Sequence, residues 1–167
     1  MANTGKKPGT GRRRQPRRRT APPAGVPSGL REPVAPGDVT LRKGKGSRGR
    51  GAGQGGEYWH IEVGEQRVGS VYVNVIDEQP LGEHASLQIQ ISKPWQGRGV
   101  GRTAYALAVT ASQHRTIYLH MRRSNVASAR AAQHAGFREV VLPGLRQCVM
   151  VSRKDDSASS SSASAGE

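Results

Sequence analysis

The sequence predicts an α+β fold, a mixed but mainly antiparallel sheet carrying two helices, on three observations. Runs of alternating polarity, rich in β-branched and aromatic residues, fill residues 57–92; the apolar spacing switches to a helical period directly after GRGVG at 97–101; and one apolar run at 116–121 separates that helix from a second. The order is β-β-β-α-β-α-β-β, a leading meander joined by one crossover to a closing strand pair, with no internal repeat.

YWHIEVG at 58–64 and RVGSVYVNVI at 67–76 meet at Gly64, Glu65 and Gln66, which reads as a hairpin. In the second run Val71, Val73 and Val75 alternate with Tyr72, Asn74 and Ile76, so one face is apolar and the other mixed. ASLQIQIS at 85–92 alternates strictly, with Leu87, Ile89 and Ile91 against Ser86, Gln88 and Gln90, as a half-buried strand does. Val100, Ala104, Leu107, Ala108 and Ala111 then draw a helical stripe. TIYLHM at 116–121 is a strand. Ser124 or Asn125 caps a second helix reaching Ala135, and Gly136 suits its left-handed C-terminal position before Phe137. REVVL and RQCVMVSR close the chain as a strand pair around Pro143 and Gly144, and DVTLR at 38–42 is a short strand by its pattern.

The 167 residues include 26 Lys or Arg against 12 Asp or Glu, a net charge of +14, of which residues 1–50 carry +12. Basicity is therefore a property of the N-terminal segment, whose Pro, Gly and like charges predict a disordered arm, open to two readings, an electrostatic tether to nucleic acid without sequence preference or a merely solvated tail. GKGSRGRGAGQGG at 44–56 reads as a flexible linker and DSASSSSASAGE at 156–167 as a polar tail. The organisation expected is a basic arm and linker over 1–56, a compact unit over 57–154 and a Ser-rich disordered tail over 155–167. Cys148 is the only cysteine, which excludes an intrachain disulfide and a Cys-based zinc site. No metal is expected. No apolar run approaches the roughly 18 residues of a membrane span, and MANTGKKPGTGRRR lacks the apolar core of a signal peptide. A cytoplasmic protein with no membrane association is expected.

The stretch that carries chemistry is ISKPWQGRGVGRTAYALA at 91–108, a strand entering a Gly-rich turn and then a helix. Consecutive backbone N–H groups and the positive end of the helix dipole make an anion cradle there, and glycine lets a phosphate approach because no Cβ intervenes. A nucleoside-triphosphate loop requires Gly-Lys-Ser/Thr, a step the chain lacks. A dinucleotide fingerprint is met loosely by Gly99, Gly101 and Ala104, with Arg122 and Arg123 suited to a 2′-phosphate, but that fold repeats parallel βαβ units. A plain strand-to-helix turn stays open as a third reading.

Gln96-Gly97-Arg98-Gly99-Val100-Gly101 resembles the Gln/Arg-x-x-Gly-x-Gly/Ala signature of the GNAT superfamily of acyl-CoA N-acyltransferases, at the same place between strand and helix. Asn125-x-x-Ser128 followed by Ala135-Gly136-Phe137 resembles a second motif of that family, and the likeness covers about residues 57–152. It implies a GNAT-like sheet in which the fourth strand, 85–92, splays from the fifth, 116–121. Acetyl-CoA as co-substrate would then pair its pantetheine arm near Ile89 and Ile91 and seat its pyrophosphate on the amides of Gly97, Arg98, Gly99, Val100, Gly101 and Arg102. Thr103 would add a hydroxyl, and Asn125 a hydrogen bond to the arm. The implied reaction is direct attack of a neutral amine on the thioester, the oxyanion held by a backbone N–H and the thiolate leaving.

Departures from the family pattern are informative. Its usual Tyr general acid, seven residues after the Asn, is here Ala132, whose methyl would face the thioester sulfur. Glu83, His84 and His120 are the candidates for the base that takes the amine proton. Tyr105, Tyr118 and Cys148 read as core. The family's two N-terminal helices have no counterpart, so the acceptor side is expected to be open, suited to a small-molecule or protein amine or completed by a second chain as a homodimer. The alternative function is a non-catalytic module of this fold that binds through its basic arm.

Overall fold

A computed structural model describes residues 31–154; the basic stretch before residue 31 and the Ser-rich tail, with the expectations made for them, lie outside it. The strands are β1 (Val39–Lys43), β2 (Glu57–Val63), β3 (Gln66–Glu78), β4 (Gly82–Ile91), β5 (Thr116–Met121), β6 (Arg138–Val140) and β7 (Cys148–Arg153), and the helices are α1 (Val100–Ala111) and α2 (Val126–His134). They build one sheet of order β1-β2-β3-β4-β5-β7-β6. Every neighbouring pair is antiparallel except β4 and β5, which run parallel and meet at the single register pair Ser86 and Tyr118. The sheet is therefore parted in its middle, as the splay implied by the family resemblance requires.

Alternation assigns the two faces. The register pairs Val71 with Ile89, Val73 with Leu87 and Val75 with Ala85 on the apolar side, and Ser70 with Gln90, Tyr72 with Gln88, Asn74 with Ser86 and Ile76 with His84 on the other. The apolar side joins Ile117, Leu119 and Met150 in one core cluster with Val100, Ala104, Tyr105 and Ala108 of α1 and Ala132 of α2. Alanines at 104 and 108, fully buried, let α1 lie close to the sheet. Asn125 is the cap of α2, its side chain accepting from the Ser128 amide at 3.3 Å, and Gly136 takes the left-handed angle, φ 89°, that ends the helix. Buried Glu57 on β2 accepts from the Ser112 hydroxyl and from the Gln113 amide at 3.0 Å, which fastens the C-terminal end of α1 to the sheet.

One segment differs from expectation. Residues 44–56 are no free linker: the Gly51 amide donates to Asn74 Oδ1 at 2.7 Å, Asn74 Nδ2 to the Gly49 carbonyl at 3.0 Å, and His114 Nε2 meets the Gly55 carbonyl at 2.7 Å. Their glycines serve close backbone approach, since a Cβ on Gly46 or Gly56 would strike the Gly51 backbone. Composition alone cannot tell this use of glycine from flexibility. Nor is the mixed face of the sheet bare, because Gly44 lies against the rings of Tyr58 and His60. Among the described residues no helix is long and apolar enough to cross a membrane.

Candidate functional site

Because β4 and β5 part after Ser86, the space between β4, the turn at 96–99 and α2 becomes a cleft of about 600 Å³. Of the eleven residues expected to hold a cofactor, nine line it: Ile89, Ile91, Gln96, Gly97, Arg98, Gly99, Gly101, Arg102 and Asn125. Val100 is instead buried in the core, and Thr103 lies outside the lining, its amide donating to the Gly99 carbonyl at 3.4 Å.

The turn has the conformation its glycines allow. Gly97 and Gly99 adopt φ of 75° and 85°, angles that cost a side-chain-bearing residue on the order of 1–3 kcal/mol. Gly99 is the N-cap of α1 and no side chain caps that end, so the first-turn N–H groups stay free to bind an anion. A Cβ on Gly101 would stand 3.3 Å from Ile91 Cδ1 and 3.8 Å from Ala131 Cβ, between the two walls of the cleft. The donors, the dipole and the missing Cβ suit a pyrophosphate.

Arg98 is committed elsewhere than its sequence position suggests. Its guanidinium stacks 4.4 Å over the Trp95 ring and its Nε donates to the Glu32 carbonyl at 2.8 Å. The Val34 amide bonds the Arg98 carbonyl at 2.9 Å, and Arg31 reaches the carbonyls of Lys93 and Gln96 at 2.5 and 3.2 Å. Residues 31–34 thus strap the outside of the turn, and Pro33 joins the cleft lining. Arg102 remains the exposed cation beside the amides.

Tyr105, read from sequence as core, belongs to the core cluster and also borders the cleft. Its hydroxyl meets Ser128 Oγ at 2.8 Å; burial raises its pKa, partly offset by that hydrogen bond, so the phenol stays protonated. The signal was present in the helical spacing, because Tyr105 stands one turn beyond Gly101 on the same face. Ala132 departs the other way. It is fully buried, and Ala131, one residue earlier, reaches the cleft.

The three candidate bases are not brought together. His84 and His120 meet with Nε2 atoms 2.9 Å apart and ring centroids at 5.1 Å, and the Tyr118 ring lies edge-on to His84 at 5.2 Å. Glu83 is exposed, in register with Asp77, and alternation turns it to the side opposite His84. His84 Nδ1 lies 2.7 Å from the Gly82 carbonyl, which can only accept, so the neutral ring carries its proton on Nδ1. Its Nε2 then accepts from His120 Nε2–H, leaving a lone pair on His120 Nδ1, a buried atom with no hydrogen-bond partner. Burial foremost, and then the His84 charge, push the His120 pKa below 6.5, against the opposing pull of Glu78 and of the nearby Gln147 side chain. Among the described residues no group of three or more His, Cys, Asp or Glu is placed to hold a metal, and Cys148 is a buried free thiol.

A family model described as acetyltransferase (GNAT) family matches residues 35–137, which begins ahead of β1 and so includes the strand and Gly-rich segment that sequence analysis had set outside the compact unit. Among solved structures, Mycobacterium smegmatis RimJ in complex with CoA-disulfide superposes with a TM-score of 0.50 at 20% identity, over 65% of this chain and 56% of that one. AAC(6')-Ib in complex with acetyl-CoA superposes at 0.52 and 16% identity, over 65% and 71%, and its complex with ribostamycin and coenzyme A at 0.52 and 16%, over 65% and 70%. At these identities the likeness is one of fold. No curated protein matches the chain.

Proposed function

The chain belongs to the GNAT acetyltransferase family, and on that premise we propose that it is an N-acetyltransferase that moves an acetyl group from acetyl-CoA to a primary amine. The observation that carries this reading is the gathering of nine expected cofactor residues around one cleft that opens where β4 and β5 part. The free first-turn amides of α1 would hold the pyrophosphate, backbone groups near Ile89 and Ile91 the pantetheine arm, and Asn125 its far side. Acetyl-CoA supplies an acyl group activated as a thioester, so that forming the new C–N bond expels a thiolate. His120 would take the amine proton on Nδ1 once that atom, buried and outside the cleft lining in the free chain, is opened to the acceptor, and His84 is the positioning residue that fixes the His120 tautomer. With Ala132 unable to donate a proton, the hydroxyls lining the cleft are those of Tyr105 and Ser128.

Incubation with labelled acetyl-CoA and a panel of primary amines, read by mass spectrometry, tests the reading; acetylated product is expected. The non-catalytic alternative is favoured by Ala132, and a ligand-dependent rise in Tm without any product would decide for it. A base held neutral below pH 6.5 has a kinetic signature. Toward acid, kcat/KM is expected to fall with two slopes, one from the amine and one from His120. His120→Ala should lower kcat/KM on the order of 100-fold and leave the single slope of the amine. A wild-type profile with one slope only would remove His120 from the role. The sign for stability follows from the same shift: the folded His120 binds its proton less readily than the unfolded one, so stability is complete above about pH 6.5 and declines as pH falls below it.

A further inference from the structure

The mixed face of the sheet carries a second concavity of about 510 Å³, which Arg50, Tyr58, Arg67, Ser70, Gln90 and Ser92 line in part, with no acidic residue in its lining. Ile91 borders both this hollow and the cleft. Register puts the hollow and the histidine pair on one side of the sheet, because Ser70 with Gln90, Tyr72 with Gln88, Asn74 with Ser86 and Ile76 with His84 succeed one another on a single side of β3 and β4, with Gln88 and Gln90 exposed along β4. Polar groups on that side are buried well beyond what a solvated sheet face shows: Ser70, Tyr72, His84 and Ser86 are all less than 9% exposed.

Two cations converge there without a carboxylate. The Arg67 guanidinium donates to Tyr58 Oη at 3.0 Å, which orients it and leaves its other N–H donors free of protein acceptors among the described residues. Glu62, its cross-strand partner, is engaged by Arg42 at 2.6 Å. Arg50 arrives from the tied-down Gly-rich segment, next to Gly51 and its hydrogen bond to Asn74. His60, on the neighbouring strand, registers the positive field: burial first, then Arg67 and Arg42, hold its pKa low, with Glu62 opposing.

On the acetyltransferase reading above, we propose that this hollow is the specificity end of the acceptor site, and that the acceptor is an amine which also carries an anionic group, a carboxylate or a phosphate, held by Arg50 and Arg67. A guanidinium oriented by a neighbour and lacking a carboxylate partner is matched to a planar or tetrahedral oxyanion and repels a polycation. The acceptor then lies along the polar side of β4 with its amine toward the parted strands.

From Gln90 to His84 β4 runs six residues, about 20 Å, so paired extended hexapeptides with a free N-terminal amine test this on the full chain: a C-terminal carboxylate against a C-terminal amide, and, in the amide, a last-residue phosphoserine against serine. The anionic member should be preferred at least tenfold in kcat/KM in one pair, which tells phosphate from carboxylate. Arg67→Gln should collapse that preference toward one, chiefly through KM, while Arg138→Gln, an exposed charge on β6, keeps it. Equal rates within both pairs, a preference for spermidine, or a preference that survives Arg67→Gln would each overturn the proposal. A second measurement needs no turnover. Titration with inorganic phosphate and with acetate, followed by arginine Nε–H NMR signals, should show a site that Arg50→Gln/Arg67→Gln removes, and identical titrations of the two proteins would overturn the proposal. Failure of the acetyltransferase reading shows separately, as a Tm indifferent to acetyl-CoA.

Discussion

Gly101→Val is expected to weaken coenzyme A binding on the order of 100-fold while the protein stays folded. The added Cβ would stand between Ile91 Cδ1 at 3.3 Å and Ala131 Cβ at 3.8 Å, and the two γ carbons would extend into the cleft just where the first turn of α1 offers its amides. Losing one or two charge-assisted hydrogen bonds, at about 1.5–3 kcal/mol each, accounts for a change of that size. Stability has no reason to suffer. Gly101 lies within the first turn of α1 and carries no positive φ, and valine in a helix is no worse than glycine. Calorimetric titration with coenzyme A on both proteins measures the effect, and circular dichroism checks the fold. An unchanged affinity would mean that the nucleotide is held away from this turn.

Gly51→Ala should be among the most damaging single methyls that the described residues can take, costing about 3 kcal/mol or more and roughly 10 °C in Tm. Gly51 holds φ at 72°, and its Cβ would collide with the Glu57 carbonyl oxygen. Relief of that collision means releasing the Gly51 bond to Asn74, and with it the segment that brings Arg50 to the sheet. Gly53→Ala is the matched comparison, because nothing lies within 4 Å of its Cβ. Thermal melts of the two variants should differ widely; equal melts would show that residues 44–56 are not bound to the sheet in solution.

Most elements were legible because their signals are local. Period two over 85–92, period 3.6 after Gly99 and the Asn125 and Gly136 caps depend on neighbours in sequence, and all of them stand in the structure. The Gly-rich turn was legible for the same reason, since chemistry and conformation share one hexapeptide. What escaped depends on distant partners. The glycines of 44–56 have the composition of a spacer, and only the backbones of Glu57 and Gly51 reveal them as packing positions. Tyr105 reads as core because it is core, 3% exposed with Phe137 at 5.8 Å between ring centroids, and its place beside the cleft depends on α2. The hold of the Glu32 carbonyl and the Trp95 ring on the Arg98 side chain, from 66 and 3 residues away in sequence, is likewise not written in the hexapeptide. The pairing of His84 with His120, 36 residues apart, has no sequence signature at all.

The single bridge between β4 and β5 also divides the chain by the order in which it can assemble. β1 to β4 are joined in sequence order by antiparallel pairing, so their contacts close short loops and form early. β5, β7 and β6 must wait for α1 to carry the chain back across the sheet. The two halves meet at Ser86 and Tyr118 and through the helices, so the seam has the fewest register pairs in the sheet and is expected to show fast amide exchange. A ligand lying in the cleft bridges β4, the last strand of the first half, to α1 and α2, which carry the chain into the second, so occupancy is expected to strengthen the joint between the two half-sheets.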